Sequence, residues 1–536
     1  MPTNISFEIV DEKNERDYTF DERVNAYIKK PFSIKEHQYE VNRWMRYKET
    51  KKENGILGGI LGCEMGLGKT LCFLLLTMSQ KNRKNKKTPD LVICSKTVLY
   101  EWKNNIEKFF GTDCRYLVYH KDFFNNYDCI NELSFNQYDI VITTYDVIKS
   151  TIKKCIRNIN TNDLLLKSVN VKEHKGSKLL FKIQWNRIVF DESHILSNLS
   201  SLTLHSVLYL KSEKRWCLTG TPIRNYCSDI FSQLISVGLI RSNNTPFDKE
   251  NFTYTTYQMY NLHNHVKIMT YLTANIKLPN NNIYNNSVYF NEKEQRIYNY
   301  LKGEMRTVYN GFLDKKFSFS CVLEMFLRLR QSCICPKMLW SENTSDTMKD
   351  VFAGMDKELV DYIRETKTST KLSNIAKYIE SRNENEKILV FSFFKTTGYL
   401  ISDLLPNKKK LFINGDIIGK SREDALTTFK NSKEHNVLYL TYKAGSEGLN
   451  LTEASSVIIT EPWYCPSVIN QAVARSHRIG QEKQVNTMYF HMVNTIENRL
   501  LEICDEKSDM IDTFIGNGKK RIFRLTSKNI RYIIGE

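Results

Sequence analysis

The sequence has little that would mark a secreted, membrane-bound or metal-scaffolded protein. Its thirteen cysteines are scattered over 536 residues, and no two stand in a CxxC spacing. A disulfide framework and a zinc cluster are therefore not expected, and a reducing compartment fits. No apolar run approaches the roughly eighteen residues of a membrane span. The opening stretch, MPTNISFEIVDEKNERDY, has neither a basic n-region nor an apolar h-region, so no signal peptide is expected. No internal repeat of solenoid period is found. Acidic residues are in deficit, 60 against 77 basic ones, for a net charge of +17. That excess favours a polyanionic partner, nucleic acid or a membrane surface. With 41% apolar and 26% charged residues the chain is globular in balance. Its length calls for two large domains.

Two blocks share one rhythm, in which short apolar runs alternate with longer helical stretches. The runs are LVIC (91–94), DIVITT (139–144), RIVFDE (187–192) and RWCLT (215–219), then KILVFS (387–392), NVLYLT (436–441), SSVIIT (455–460) and VNTMYF (485–490). Continuous apolar runs imply strands covered on both faces, and helices between them imply parallel sheets. The expectation is an α/β chain with two doubly wound lobes, 31–240 and 369–505. An N-terminal arm (1–30) and a basic C-terminal tail (506–536) flank them. The stretch 241–368 lacks a strand rhythm. It holds helical pieces such as NEKEQRIYNYLKGEM (291–305) and VLEMFLRLRQ (322–331), and is expected to form helical protrusions and a linker. The Asn-rich PNNNIYNN (279–286) reads as compositional drift.

Chemistry concentrates in three places. GGILGCEMGLGKT (58–70) has the end of a phosphate cradle, a loop after a strand that feeds a helix. Gly66 and Gly68 remove side chains that would block a phosphate, and Glu64, Met65 and Leu67 supply further backbone. Lys69 would reach the β and γ phosphates, and the Thr70 hydroxyl would hold Mg²⁺. RIVFDESH (187–194) delivers Asp191 and Glu192 to the carboxyl end of a strand, where open α/β sheets bind ligands. Asp191 can hold Mg²⁺, and Glu192 can orient and deprotonate a water. Alone, the same residues would also read as a solvated acidic strand end. QAVARSHRIGQ (471–481) carries Arg475 and Arg478 three apart, on one face of a helix, where two cations could steady a transferring phosphoryl group. Locally, a solvent-facing basic helix is the stronger reading.

The order of these segments resembles the Swi/Snf-type ATPases of helicase superfamily two. IKEHQYEVNRW (34–44) is similar to that family's Q-type motif, with Gln38 placed to read the adenine edge. GGILGCEMGLGKT resembles motif I, LVICSKTVLYEW (91–102) motif Ia and ITTYDVI (142–148) motif Ib. DESH (191–194) stands where the family has DEAH, and LTGTPIRN (218–225) resembles motif III. LRLRQSCICP (327–336) resembles the segment before the second lobe, KILVFSFF (387–394) motif IV, LTYKAGSEGLNLTEAS (440–455) motif V and QAVARSHRIGQ motif VI.

The resemblance implies two RecA-like lobes with ATP and Mg²⁺ between them, and double-stranded DNA as the polyanion. It implies ATP-driven translocation that remodels DNA–protein complexes. Lys96, Thr97, Thr143, Thr144, Lys443 and Asn450 are the candidate phosphate contacts. His194, Thr219, Gly220, Thr221 and Gln471 are candidates for coupling the lobes. The tail FRLTSKNIRYIIGE (523–536) looks like the C-terminal element of the Rad-type and transcription-termination subgroups. The compact length resembles the viral global transactivators. Rad-type members often carry a RING insertion between the lobes, but only Cys333 and Cys335 fall near that place, so zinc is not expected. KNRKNKK (81–87) and GKKRIFR (518–524) read equally as nuclear-import signals, a solvated loop and a DNA-contacting tail, so nuclear localisation follows from the resemblance.

Several positions depart from the pattern: Gly62 for alanine, Cys63 for aspartate, Ser197 for lysine, Arg224 for glutamine, Ser446 for glycine and EPWYCP (461–466) for Asp-Pro-Trp-Trp-Asn-Pro. None removes the phosphate lysine, the acid pair or the two arginines. The expectation is an active ATPase whose coupling to DNA is differently tuned. An RNA-stimulated superfamily-two helicase and a catalytically weak nucleotide-binding scaffold are the alternatives.

Overall fold

In the computed structural model the described residues are 25–52, 56–63, 66–80, 88–123, 132–155, 179–223, 229–238, 278–341, 345–417, 420–445 and 449–516. The chain divides into two compact units, Met1–Ile276 with Met510–Ile522 and Lys277–Asp509 with Phe523–Glu536. Among the described residues no helix is long and apolar enough to cross a membrane.

The first unit holds a six-stranded parallel sheet: β1 (Leu57–Leu61), β2 (Asp90–Cys94), β3 (Tyr116–Val118), β4 (Ile140–Thr144), β5 (Arg187–Asp191) and β6 (Lys214–Leu218), in the order β1-β6-β5-β2-β4-β3. Helices α1 (Glu36–Thr50), α2 (Lys69–Ser79), α3 (Lys96–Phe109), α4 (Tyr145–Cys155), α5 (Leu202–Leu208) and α6 (Asp229–Val237) connect and cover it. Every residue of β2, β4 and β5 is buried, as runs covered on both faces require. At its amino end the sheet is tied by a buried ionic cluster. Arg187 donates to Glu49 Oε1 at 2.7 Å and to Asp90 Oδ2 at 2.7 Å, and Trp216 Nε1 donates to Glu49 Oε1 at 2.9 Å.

The second unit repeats the plan with β7 (Asn281–Val288), β8 (Ile388–Ser392), β9 (Lys409–Ile413), β10 (His435–Thr441), β11 (Ser456–Ile459) and β12 (Val485–Met492), in the order β7-β12-β11-β8-β10-β9. Its longer helices are α7 (Glu292–Leu313), α8 (Phe319–Ile334), α9 (Asp346–Ala353), α10 (Lys357–Glu365), α11 (Thr370–Glu380), α12 (Lys395–Asp403), α13 (Lys420–Asn431), α14 (Pro466–Val473) and α15 (Ile496–Gly516), the last belonging to this unit as far as Asp509. Alternate residues of β8 feed two cores. Ile388 and Val390 join the cluster built with α7–α11, while Leu389 and Phe391 join the one built with α14. Both units are RecA-like parallel-sheet lobes.

The eight apolar runs are the eight inner strands. The four strands outside that set, β1, β3, β7 and β9, are the four sheet edges. β7 corrects one expectation: 241–368 is not without a strand, and the Asn-rich Asn281–Val288 forms it. Its side chains are mostly exposed or half-buried, so it shows no apolar run, yet it pairs with β12 along all eight residues. The helices of 292–365 pack into the core of the second lobe. The basic run 81–87 and the residues after 516 lie outside the described residues.

Candidate active site

In the first lobe, β1, β6 and β5 are neighbours in register, with Leu61 opposite Leu218 and Leu218 opposite Asp191. Their carboxyl ends carry the phosphate loop, LTGTP and DESH, so three segments distant in sequence converge on one edge. β1 can lie this close because Gly58 has no side chain: a Cβ there would stand 2.0 Å from the Arg215 carbonyl oxygen of β6.

The loop turns into α2 through Gly66 (φ +87°) and Gly68 (φ +81°), the latter being the N-cap in the left-handed region. A Cβ on Gly68 would meet Gln38 Nε2 at 2.7 Å, so the glycine keeps the loop and the amide side by side. The apolar Leu71–Met78 is buried and anchors α2, which leaves its amino end as a set of N–H groups suited to an anion. Lys69 Nζ donates to the Cys63 carbonyl at 3.0 Å, closing the loop on itself. The Cys63 side chain is buried in the core with Leu67 and Leu71. Glu64 and Met65 lie outside the described residues. α1 clamps the assembly. Gln38 Oε1 accepts from Lys35 N at 2.9 Å, His37 Nε2 is 3.0 Å from the Leu67 carbonyl, and Asn42 Nδ2 donates to the Cys72 carbonyl at 3.0 Å. Sequence reasoning singled out Gln38 alone; the i,i+4 spacing of Gln38 and Asn42 was the available signal for a shared face.

At the end of β5, Asp191 is held at three points. Trp102 Nε1 donates to its Oδ2 at 2.7 Å, Glu192 N donates to its Oδ1 at 3.0 Å, and Tyr145 Oη donates to its main-chain carbonyl at 2.8 Å. Burial pushes the Asp191 carboxyl up and the Glu192 carboxylate adds to this; the Trp102 N–H and the nearby Lys69 ammonium oppose it. Glu192 sits in the left-handed region (φ 47°, ψ 51°), an uncommon place for a residue with a side chain. Its Oε2 is 3.2 Å from His194 Nδ1. Ser193 Oγ donates to Gln233 Oε1 at 2.7 Å, and Gln233 Nε2 donates to the Pro222 carbonyl at 2.5 Å. Gln233 thereby joins the DESH turn to LTGTP. In that segment Thr219 N donates to the Leu61 carbonyl at 3.1 Å and Thr219 Oγ1 accepts from Thr221 N at 3.0 Å, with Gly220 between them. Ser197 is joined to α6, its carbonyl accepting from Ser232 Oγ at 2.6 Å. Arg224 lies outside the described residues.

The candidate nucleic-acid residues differ in placement. Lys96 begins α3 and pairs with Asp122 at 2.8 Å, and Thr97 Oγ1 is 3.0 Å from Ser95 Oγ. Thr143 and Thr144 are buried; Thr143 Oγ1 donates to the Tyr119 carbonyl at 2.9 Å and Thr144 Oγ1 accepts from Val147 N at 3.3 Å. Lys443 and Asn450, in the second lobe, are exposed.

Arg475 and Arg478 do not lie on a helix, contrary to expectation: α14 ends at Val473. Local side-chain bonds compete with helix beyond it. Ser476 Oγ and Gln481 Nε2 both donate to the Ala454 carbonyl, at 2.5 and 2.8 Å, and Gly480 takes φ +100°. The two guanidinium groups nevertheless converge, Arg475 Nη1 and Arg478 Nη1 donating to the Leu449 carbonyl at 3.5 and 3.1 Å. Arg475 Nε also donates to the Gln471 carbonyl at 3.1 Å. Gln471, Asn450 and both arginines thus share one region of the second lobe. Ser446 lies outside the described residues.

Comparison with known proteins agrees with this geometry. The SNF2-related domain matches residues 37–338, and the helicase conserved C-terminal domain matches 370–480. The chain is 34% identical to "Putative helicase 172L" of Invertebrate iridescent virus 6, over 94% of each chain. It is 25% identical to the "Probable global transactivator" of Orgyia pseudotsugata multicapsid polyhedrosis virus, over 93% of each. A solved Sulfolobus solfataricus SWI2/SNF2 ATPase core in complex with dsDNA is 24% identical, covering 95% of this chain and 98% of that one, with a TM-score of 0.38. The chain belongs to the SNF2-related family of helicase-like ATPases.

Proposed function

We propose that this ATPase is a double-stranded-DNA translocase that remodels DNA–protein complexes in transcription or chromatin control. The observation that carries the reading is the convergence of Lys69, Asp191 and Glu192 beyond the carboxyl ends of β1 and β5, which flank β6 in one sheet. In this reading the N–H groups of residues 66–70 and the Lys69 ammonium hold the ATP phosphates. Glu192 takes a proton from the attacking water as its oxygen bonds to the γ-phosphorus and the bond to ADP breaks. The Thr70 hydroxyl and the Asp191 carboxylate suit Mg²⁺, a hard cation that prefers oxygen. When bound, that ion neutralises phosphate charge. Arg478, less buried than Arg475, is assigned to the developing phosphoryl charge. Lys96, Thr97, Lys443 and Asn450 are assigned to the DNA backbone, which carries little sequence information. The net charge of +17 supports a polyanion. The nucleus, of a host cell if the chain is viral, follows from the same reading.

Phosphate release from ATP, measured without nucleic acid and then with duplex DNA, single-stranded DNA or RNA, tests this. Stimulation by duplex DNA, absent in Lys69→Ala, is the expected result. Stimulation mainly by RNA would overturn the DNA assignment.

A further inference from the structure

The Trp102 indole occupies a position that the nucleotide site uses from two sides. It is fully buried, so its N–H needs an acceptor, and the acceptor is a carboxylate oxygen of Asp191, 89 residues away. On its other side Phe73 of α2 meets the ring edge-on, with centroids 5.9 Å apart and planes at 70°. α2 is the helix fed by the phosphate loop, and it begins with Lys69 and Thr70. The other two attachments of Asp191 are local or indirect: one is the N–H of the next residue, and the other, from Tyr145, grips the main chain. Among the described residues Trp102 is the side chain that donates to the carboxylate itself. It also belongs to α3, whose first turn carries Lys96 and Thr97.

We infer that Trp102 is a positioning residue for ATP hydrolysis: its N–H fixes the orientation of the Asp191 carboxylate and ties it to the helix assigned to DNA. The inference rests on the proposed role of Asp191. A carboxylate has two oxygens and a broad terminal torsion. With the N–H in place, Oδ2 is held toward α3 and the plane of the group is set. Without it, the Glu192 N–H on Oδ1 is the one hydrogen bond left to the carboxylate among the described residues, the plane turns more readily, and Mg²⁺-dependent binding of ATP weakens. Strain or movement of α3 reaches Asp191 through the same bond, so DNA-stimulated turnover depends on it as well.

The test uses the full chain with two substitutions. Trp102→Phe removes the donor and part of the ring. The benzothiophene analogue of tryptophan at the same position keeps the bicyclic shape and removes only the N–H. Binding of a fluorescent ATP analogue is titrated with Mg²⁺ and with EDTA, beside turnover with and without duplex DNA and a melting curve. The expected result for the analogue is a folded protein whose melting temperature falls by no more than one lost hydrogen bond accounts for. Affinity in Mg²⁺ and DNA-stimulated turnover should fall by roughly 10- to 100-fold, the size of a lost hydrogen bond to a charged group. Affinity in EDTA should not change. If the analogue behaves as the native protein while Trp102→Phe is impaired, Trp102 acts by packing and the inference is overturned. Asp191→Asn separates the two levels. If Asp191→Asn abolishes Mg²⁺-dependent binding and the analogue does not weaken it, the inference alone fails. If Asp191→Asn changes nothing, the role of Asp191 fails and the inference with it.

Discussion

The two lobes have the same strand order, edge strand first and then the sixth, fifth, second, fourth and third strands of each. They also share a detail. The residue after the fourth strand is a tyrosine in both, and its hydroxyl donates to a main-chain carbonyl at the end of the fifth. Tyr145 reaches Asp191 at 2.8 Å, and Tyr442 reaches Glu461 at 3.1 Å. What differs is the use of the acid. Asp191 and Glu192 stand beside a phosphate loop and Lys69. Glu461 is fully buried, and donors of its own lobe engage it: Ser392 Oγ at 3.1 Å to each carboxylate oxygen, the Phe393 N–H and the Thr460 hydroxyl. A second buried acid, Glu497, is bound by Lys371 at 2.7 Å and by Met492 N at 2.7 Å. One scaffold therefore carries an acidic site in one copy and acidic struts in the other. The loops, not the sheet, decide which.

Substitutions can break this contrast. The largest effects are expected in the first lobe, on turnover. Lys69→Ala should abolish it. Glu192→Gln should slow it by ~10²–10⁴-fold, the usual worth of a positioned base, and leave the melting temperature unchanged. Full activity in Glu192→Gln would sink the assignment of the base. In the second lobe the effect moves to stability. Lys371→Met leaves the Glu497 carboxylate buried without its cation and should cost about 3–5 kcal/mol in denaturant unfolding. Glu461→Ala leaves several buried donors unsatisfied and should cost about 2–4 kcal/mol, with nucleotide binding by the folded protein retained. The smallest effects compare the two tyrosines. Tyr145→Phe and Tyr442→Phe should each cost about 1 kcal/mol, and only the first should also lower kcat. Equal losses of kcat would mean that both strand ends serve the reaction.

The inner strands were legible because burial on both faces leaves an unbroken apolar run, whereas an edge strand needs none. β7 illustrates this: its asparagines and exposed Ile283 and Tyr284 satisfy a pairing that side chains hardly signal. The candidate phosphate loop and acid pair could be picked out because phosphate and metal chemistry restricts residue types at fixed spacing. The residues that orient them were not. Trp102 and Asp191 are distant in sequence, and a tryptophan in an amphipathic helix reads as core. Gln233 gives no signal within its own helix. The helical placement of Arg475 and Arg478 failed because Ser476 and Gln481 bond to a loop that is remote in the chain.

The pairing of β7 with β12 has a consequence for synthesis. Ser287 and His491, 204 residues apart, are brought within 3.3 Å by this pairing. A ribosome completes the sheet of the first lobe once β6 has emerged. In the second, β7 must likewise wait for β12, which inserts between β7 and β11 as β6 inserts between β1 and β5. Until then β11 is an uncovered apolar edge and β7 has no neighbour. The wait spans more chain in the second lobe, 204 residues from Asn281 to Val485 against 157 from Leu57 to Lys214, so the nascent second lobe is the more exposed to aggregation and the stage at which chaperones would act.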